Sequence, residues 1–238
     1  MKKIFSLLFV IIIGCTSPSK PTCGKPYIVI TFDDEYESQY THALPILNDY
    51  DFRVTNFINT GLIETEGKCN WQQIEEMEFV YHWEIGGHTL HHPYLPNLSL
   101  EETRYEIHQD WLNLKSRGLS HESFALPCGS IREDQITIIL EYYQNLRCSE
   151  DIIQFNPVDR TNFGYFSYDS SFTPRTVISR IIRATENGEF ALILGFHKIF
   201  PYDEGFSANC PPEEFREIMQ WIYDNDFNIL TLKELARK

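Results

Sequence analysis

Two aspartates close a hydrophobic run, Tyr27-Ile28-Val29-Ile30-Thr31-Phe32-Asp33-Asp34, and a histidine pair four residues apart follows in His88-Thr89-Leu90-His91-His92-Pro93. Two imidazoles and one carboxylate form an N/O donor set for a divalent ion such as zinc, which in hydrolases takes three protein ligands and keeps a fourth position open. A second carboxylate is left over as a base. Such an ion polarises a carbonyl and lowers the pKa of water, while a histidine across the site can protonate a leaving nitrogen. His197 is the candidate for that acid. Each motif alone is weak, since HxxxH spacing arises by chance on surfaces and paired aspartates commonly start turns. Their joint order carries the reading. Pro93 biases His92 away from helix, so a compact turn is expected there. His91 reads as supporting or solvated, and His42, His82, His108 and His121 as structural.

These groups act together only if the fold brings them to one place. From Lys25 onwards, short apolar runs alternate with amphipathic stretches, the pattern of repeated β-α units. Strands are predicted at Tyr27–Phe32, Val54–Ile58, Glu84–Gly87, Ser123–Leu126, Phe190–Phe196 and Asn228–Thr231. Helices are predicted at Tyr40–Asp49, Trp71–Trp83, Ser99 towards Arg117, Asp134–Gln144, Thr176–Asn187 and Pro212–Asn225. Ser99 and Glu102 have capping-box spacing. Phe215, Ile218, Met219 and Ile222 fall at helical spacing for a face packed on a sheet. The stretch from Cys148 to Thr173 has no clear pattern. A parallel α/β barrel is the economical architecture, with its chemistry at the C-terminal strand ends. Asp33-Asp34, His88, Pro127-Cys128-Gly129 and His197 each follow a predicted strand.

The chain has 238 residues, enough for one sizeable core. Its net charge of -14 argues against nucleic acid or anionic lipid headgroups as partners. An uncharged ligand such as a sugar is compatible with it. Lys2 and Lys3 precede an apolar stretch from Ile4 to Ile13 that is too short to span a bilayer, and residues 1–14 read as an export signal. Ile12-Ile13-Gly14-Cys15 resembles the bacterial lipobox, which makes Cys15 the expected acylated residue. The expected organisation is a signal at 1–14, a polar tether at 15–24 and a catalytic domain at 25–238. The product is anchored at the cell envelope by lipid only, or secreted if Cys15 is not acylated. A monomer is expected. Cys23, Cys69, Cys128, Cys148 and Cys210 make an odd set, so at least one thiol stays free or pairs between chains.

From about Tyr27 to Leu235 the chain resembles polysaccharide deacetylases of carbohydrate esterase family four. Thr31-Phe32-Asp33-Asp34 matches the first family motif, implying Asp33 as general base and Asp34 as metal ligand. His88-Thr89 with His92-Pro93 matches the second, implying both histidines as ligands. Ala43-Leu44-Pro45-Ile46-Leu47, Glu84-Ile85-Gly86-Gly87 and Thr231-Leu232-Lys233-Glu234-Leu235 agree as well. Phe124-Ala125-Leu126-Pro127-Cys128-Gly129 resembles the third motif, implying the Cys128 amide as oxyanion donor. Leu194-Gly195-Phe196-His197 resembles the segment of the general-acid histidine. The resemblance implies an irregular (β/α) barrel, commonly of seven strands, and a zinc, cobalt or nickel ion. It further implies removal of acetyl groups from N-acetylated amino sugars.

Several positions depart from the family pattern. Glu35 stands where a glycine is usual and is expected to add a carboxylate near the mouth. Ala125 replaces an arginine that pairs with the base, and Arg175 is the expected substitute. Cys128 replaces a tyrosine and Gly195 a leucine. The aspartate that orients the acid histidine has no clear match, with Asp169 as the candidate. Three other readings compete: a degenerate carbohydrate-binding member of the same fold, a deacetylase of O-acetylated glycans, and an Fe(II) oxygenase triad. The α/β patterning disfavours the last.

Overall fold

The run that ends in the aspartate pair forms β1 (Tyr27–Asp33), buried from Ile28 onwards. In the computed structural model, which describes residues 24–202 and 205–238, six further parallel strands join it. They are β2 (Thr55–Ile58), β3 (Glu84–Gly87), β4 (Ser123–Ala125), β5 (Asn145–Arg147), β6 (Phe166–Ser167) and β7 (Ala191–Phe196). Their spatial order is β5-β4-β3-β2-β1-β7-β6. The sheet curls, and the segment before β6 lies along β5 through an isolated bridge between Arg147 and Phe163. The result is one domain with seven parallel strands in a partly closed barrel, as expected. A small parallel pair, β8 (Lys198–Ile199) and β9 (Asn209–Cys210), sits beyond β7. The 1–14 signal segment, Cys15 and Cys23 lie outside the described residues. Cys69, Cys128, Cys148 and Cys210 are free thiols.

Helices α1 (Leu44–Asn48), α2 (Trp71–Phe79), α3 (Leu100–Ser116), α4 (Glu133–Leu140), α5 (Pro174–Asn187) and α6 (Pro212–Asp224) fall within or near the predicted stretches. Ser99 and Glu102 form the reciprocal cap of α3, with bonds of 2.8 and 3.2 Å. The apolar stripe of α6 (Phe215, Ile218, Met219, Ile222) is fully buried. Asn228–Thr231, predicted as a strand, makes only an isolated bridge from Ile229 to Ile28. It pairs with β1 below the point where β2 takes over at Thr31. It leads into a short helix, α7 (Leu232–Leu235).

Strand alternation sorts β1 into two layers. Ile28, Ile30 and Phe32 belong to the outer core under the helices, where Phe32 lies among Trp83, Phe196 and Phe215. Val29 belongs to the barrel interior with Phe57, Ala125, Phe163 and Ile193. Asp33 has the parity of Val29, so it follows the inward face. Leu232, Leu235 and Ala236 join the same interior cluster and plug its lower end. The plug is fastened where Leu232 N–H donates to Thr55 Oγ1 and Lys233 N–H donates to buried Glu84 Oε2, both at 2.8 Å.

Gly87, the last residue of β3, leaves room for a polar pair behind the site. Tyr143 Oη donates to Asp110 Oδ2 at 2.8 Å, and Asp110 Oδ1 accepts from Thr60 Oγ1 at 2.8 Å. A Cβ on Gly87 would lie 2.2 Å from Tyr143 Oη and 2.5 Å from Asp110 Oδ2. Gly87→Ala should therefore cost about 1–3 kcal/mol by overpacking, read as a lowered urea midpoint. An unchanged midpoint would contradict this packing.

Candidate active site

The β1–β2 ladder continues one residue past the strand, with Asp34 N–H donating to Phe57 O at 3.1 Å. The backbone then turns left-handed at Asp34 (φ 70°) and Glu35 (φ 40°). That turn lets adjacent aspartates, which a straight strand would send to opposite faces, work in one site. The histidine segment also turns rather than coiling into a helix. Thr89 (φ 73°) and His92 (φ 57°) are left-handed, and His92 N–H donates to Thr89 Oγ1 at 3.0 Å. Glu106 of α3 fastens the turn by accepting from His91 N–H at 2.8 Å and pairing with His91 Nδ1 at 2.9 Å. His91 is thus occupied outside the cluster.

Asp34, His88 and His92 converge. Asp34 Oδ1 lies 3.6 Å from His88 Nε2 and 3.4 Å from His92 Nε2, and one ligand atom from each residue falls within 4.8 Å of the others. Two donors on a tetrahedral ion with bonds of roughly 2.0–2.1 Å stand about 3.3 Å apart, so the spacing fits one divalent ion. The tautomer fits as well. His88 Nδ1 donates to Ala125 O at 2.8 Å, which leaves the Nε2 lone pair facing Asp34. Burial, opposed by the nearby Asp33 and Asp34, brings the His88 pKa down to about 4, so the ring is neutral at ordinary pH.

Asp33 is almost fully buried, and burial alone would raise its pKa. The Arg147 cation, joined by His88 and His197 where they are protonated, outweighs that effect and holds it below the usual value. The closest of them is Arg147, whose Nη2 donates to Asp33 Oδ2 at 2.5 Å. His197 Nε2 stands 3.8 Å from the same oxygen. Among the described residues Asp33 Oδ1 has no hydrogen-bond partner, which leaves it open to accept a proton. Arg147 ends β5 and is the direct cross-strand neighbour of Ala125 on β4. The cation missing at 125 therefore stands one strand over at the same level. Its Nε and Nη1 also lack hydrogen-bond partners, and aromatic faces hold it: its guanidinium lies 3.8 Å from the Tyr165 ring centroid and 5.0 Å from that of Phe57. The Tyr165 ring in turn occupies the space beside Gly195, where a Cβ would meet it at 2.2 Å.

The structure does not bring every predicted residue to the site. Arg175 is exposed in the first turn of α5, and Arg147 rather than Arg175 pairs with Asp33. Asp169 lies in a local turn where the Ser171 hydroxyl, and Ser171 N–H donating at 2.8 Å, lower its pKa. It does not orient His197, whose Nδ1 has no hydrogen-bond partner among the described residues. Glu35 adds no open carboxylate at the mouth, because it is fully buried. Cys128 sits in the turn after β4 with φ 52° and an exposed side chain. Partial burial and the charge of Asp34 raise its thiol pKa. Sequence reading missed Gln39, which ties two strand ends together. Its Nε2 donates to Asp33 O at 2.6 Å and to His197 O at 2.8 Å. No motif announces Gln39. Arg147 could have been found by requiring a strand after the predicted helix at Asp134–Gln144.

The fold is a curled sheet of seven parallel strands whose ends carry three residues that could hold one metal ion. A family model described as polysaccharide deacetylase matches residues 20–143, and the chain belongs to that family. The match spans Asp33, Asp34, His88, His92 and Cys128 and stops short of Arg147 and His197. No curated protein matches the chain. Among solved structures, it is similar to the Xyl-CE4 domain of a multidomain xylanase from the hindgut metagenome of Trinervitermes trinervoides, with 19% identity, TM-score 0.63, and 90% and 91% of the two chains covered. It is also similar to a family 4 acetyl xylan esterase from Clostridium thermocellum in complex with cobalt, with 17% identity, TM-score 0.63, and 89% and 90% covered. A third is a CE4 family pseudoenzyme from Bacillus anthracis, with 17% identity, TM-score 0.60, and 89% of this chain and 66% of that one covered.

Removing Arg147 leaves a buried carboxylate without its cation, a loss of about 3–5 kcal/mol. The sign of the pH dependence follows. In the wild type the lowered Asp33 pKa contributes stability above the unfolded value, and that contribution is lost as pH falls through the folded pKa. In Arg147→Met, burial dominates and raises the Asp33 pKa, so the variant loses stability as pH rises through that raised value. The gap between the two should widen from about pH 4 to neutrality in urea titrations. A constant gap would show that the pair does not govern Asp33.

Proposed function

We propose that this chain is a metal-dependent deacetylase that removes acetyl groups from N-acetylated amino sugars of an envelope or extracellular glycan. The carrying observation is Asp34, His88 and His92 gathered at single-ion spacing, with the free Oδ1 of Asp33 beside them. Asp34, His88 and His92 would hold zinc, or cobalt or nickel, which supplies Lewis acidity towards the acetyl carbonyl. Asp33, kept ionised by Arg147, takes a proton from the attacking water. The Cys128 amide faces the developing oxyanion. His197 delivers a proton to the leaving nitrogen. Two open clefts of about 500 Å³ each, one lined by Tyr36, His42 and Phe200 and the other by Tyr94, Ser130 and Asn162, offer room for a glycan.

Acetate release from chito-oligosaccharides by zinc-loaded protein tests this reading. Asp33→Asn and His197→Ala should each lower the rate about 10²–10⁴-fold, and chelation should abolish turnover until metal is returned. Full activity in Asp33→Asn would remove the assigned base. The two xylan-related neighbours favour a second reading, cleavage of O-acetyl groups, so acetylated xylan belongs in the same panel. No acetate from any metal-loaded sample would favour a binding role. We further propose acylation of Cys15 at the bacterial envelope. Labelled palmitate should enter the wild type and not Cys15→Ala, and an unlabelled wild type would end that proposal.

A further inference from the structure

Glu35 occupies a backbone position that favours glycine, with φ 40° and no exposed surface. A carboxyl buried there needs compensation, and both its oxygens and its backbone carbonyl face partners on the loop after β2. Glu35 Oε2 accepts from Asn59 N–H at 2.5 Å. The Asn59 side-chain amide donates to His88 O, and more distantly to Thr89 O at 3.3 Å. Glu35 Oε1 lies 3.2 Å from Lys68 Nζ, an ion pair without hydrogen-bond alignment. Lys68 Nζ also donates to Asp34 O at 2.6 Å and lies 4.1 Å from the Tyr36 ring centroid. The Glu35 carbonyl accepts from Cys69 N–H at 2.8 Å. One buried side chain thus links the loop after β1, which carries Asp34, to the loop after β3, which carries His88. The loop after β2 is the intermediary.

We infer that Glu35, with Lys68 and Asn59, is a positioning strut that sets the separation of Asp34 and His88 and so tunes metal affinity. The Glu35 side chain bonds Asn59 and faces Lys68 rather than the side chains of Asp34, His88 or His92. It fixes the carbonyls on either side of the ligand atoms, so a shift in the strut moves the donors relative to one another. The inference rests on the proposed metal centre.

The test is titration of zinc into chelator-stripped protein against a chromophoric competitor. Glu35→Gly gives the backbone its preferred residue while removing the strut, so any loss reports the strut rather than strain. Glu35→Gly and Lys68→Met should each weaken zinc binding roughly 10–100-fold. Ile222→Ala, a remote core truncation in α6, should lower thermal stability and leave affinity unchanged. Wild-type affinity in both strut variants would overturn the inference, and loss in Lys68→Met alone would support it if Glu35→Gly does not fold. Amide hydrogen exchange of metal-free protein supplies a second readout. Faster exchange in peptides containing Asn59 and Thr89 supports the strut, and unchanged exchange overturns it. If the wild type binds no zinc, the metal reading fails, and the exchange data still judge the strut.

Discussion

The ionised carboxylate of Asp33 inside an apolar barrel is the constraint around which this molecule is arranged. An isolated charge there carries a desolvation penalty of several kcal/mol and would normally be removed by protonation. A carboxylate kept ionised there needs a cation buried with it. Arg147 meets that need with one short bond to Oδ2 and leaves Oδ1 unoccupied. A guanidinium so held has unsatisfied N–H groups, and the rings of Tyr165 and Phe57 cover its faces instead. Tyr165 can sit there because residue 195 has no side chain.

The departures from the family pattern therefore come in compensating sets. Ala125 is matched by Arg147 at the same level of the next strand. Gly195 is matched by the Tyr165 ring, and Glu35 by Lys68 and the Asn59 amide. Each set breaks a local expectation and restores it through a contact between residues far apart in sequence. Such violations concentrate where function demands an arrangement that local preference would not choose.

What could be read from sequence follows from the same physics. β1 and β7 announced themselves as buried runs almost wholly apolar or small, and β2, β3 and β4 through the few apolar or small residues beside buried Asn56, Glu84 and Ser123. So did the apolar stripe of α6 and the cap of α3. The convergence of Asp34, His88 and His92 was legible because ligand chemistry restricts residue type. β5 and β6 were not legible, since Asn145-Leu146-Arg147 and Phe166-Ser167 are too short and too polar to form a hydrophobic pattern. Arg147 was hidden with its strand, and the exposed Arg175 was expected in its place. Gln39 was invisible for another reason: its role is to bond two backbone carbonyls, which any amide could do.

The sealed lower end of the barrel has a geometric consequence. All seven strands run the same way, and α7 stoppers the face at which they begin. Gly24 leads into β1 at that stoppered face, so residues 1–23 are joined to the side remote from Asp33. β1 is seven residues long, which separates the two faces by about 23 Å at 3.3 Å per residue. Whatever grips that leading segment, a lipid on Cys15 included, would hold the molecule by its base.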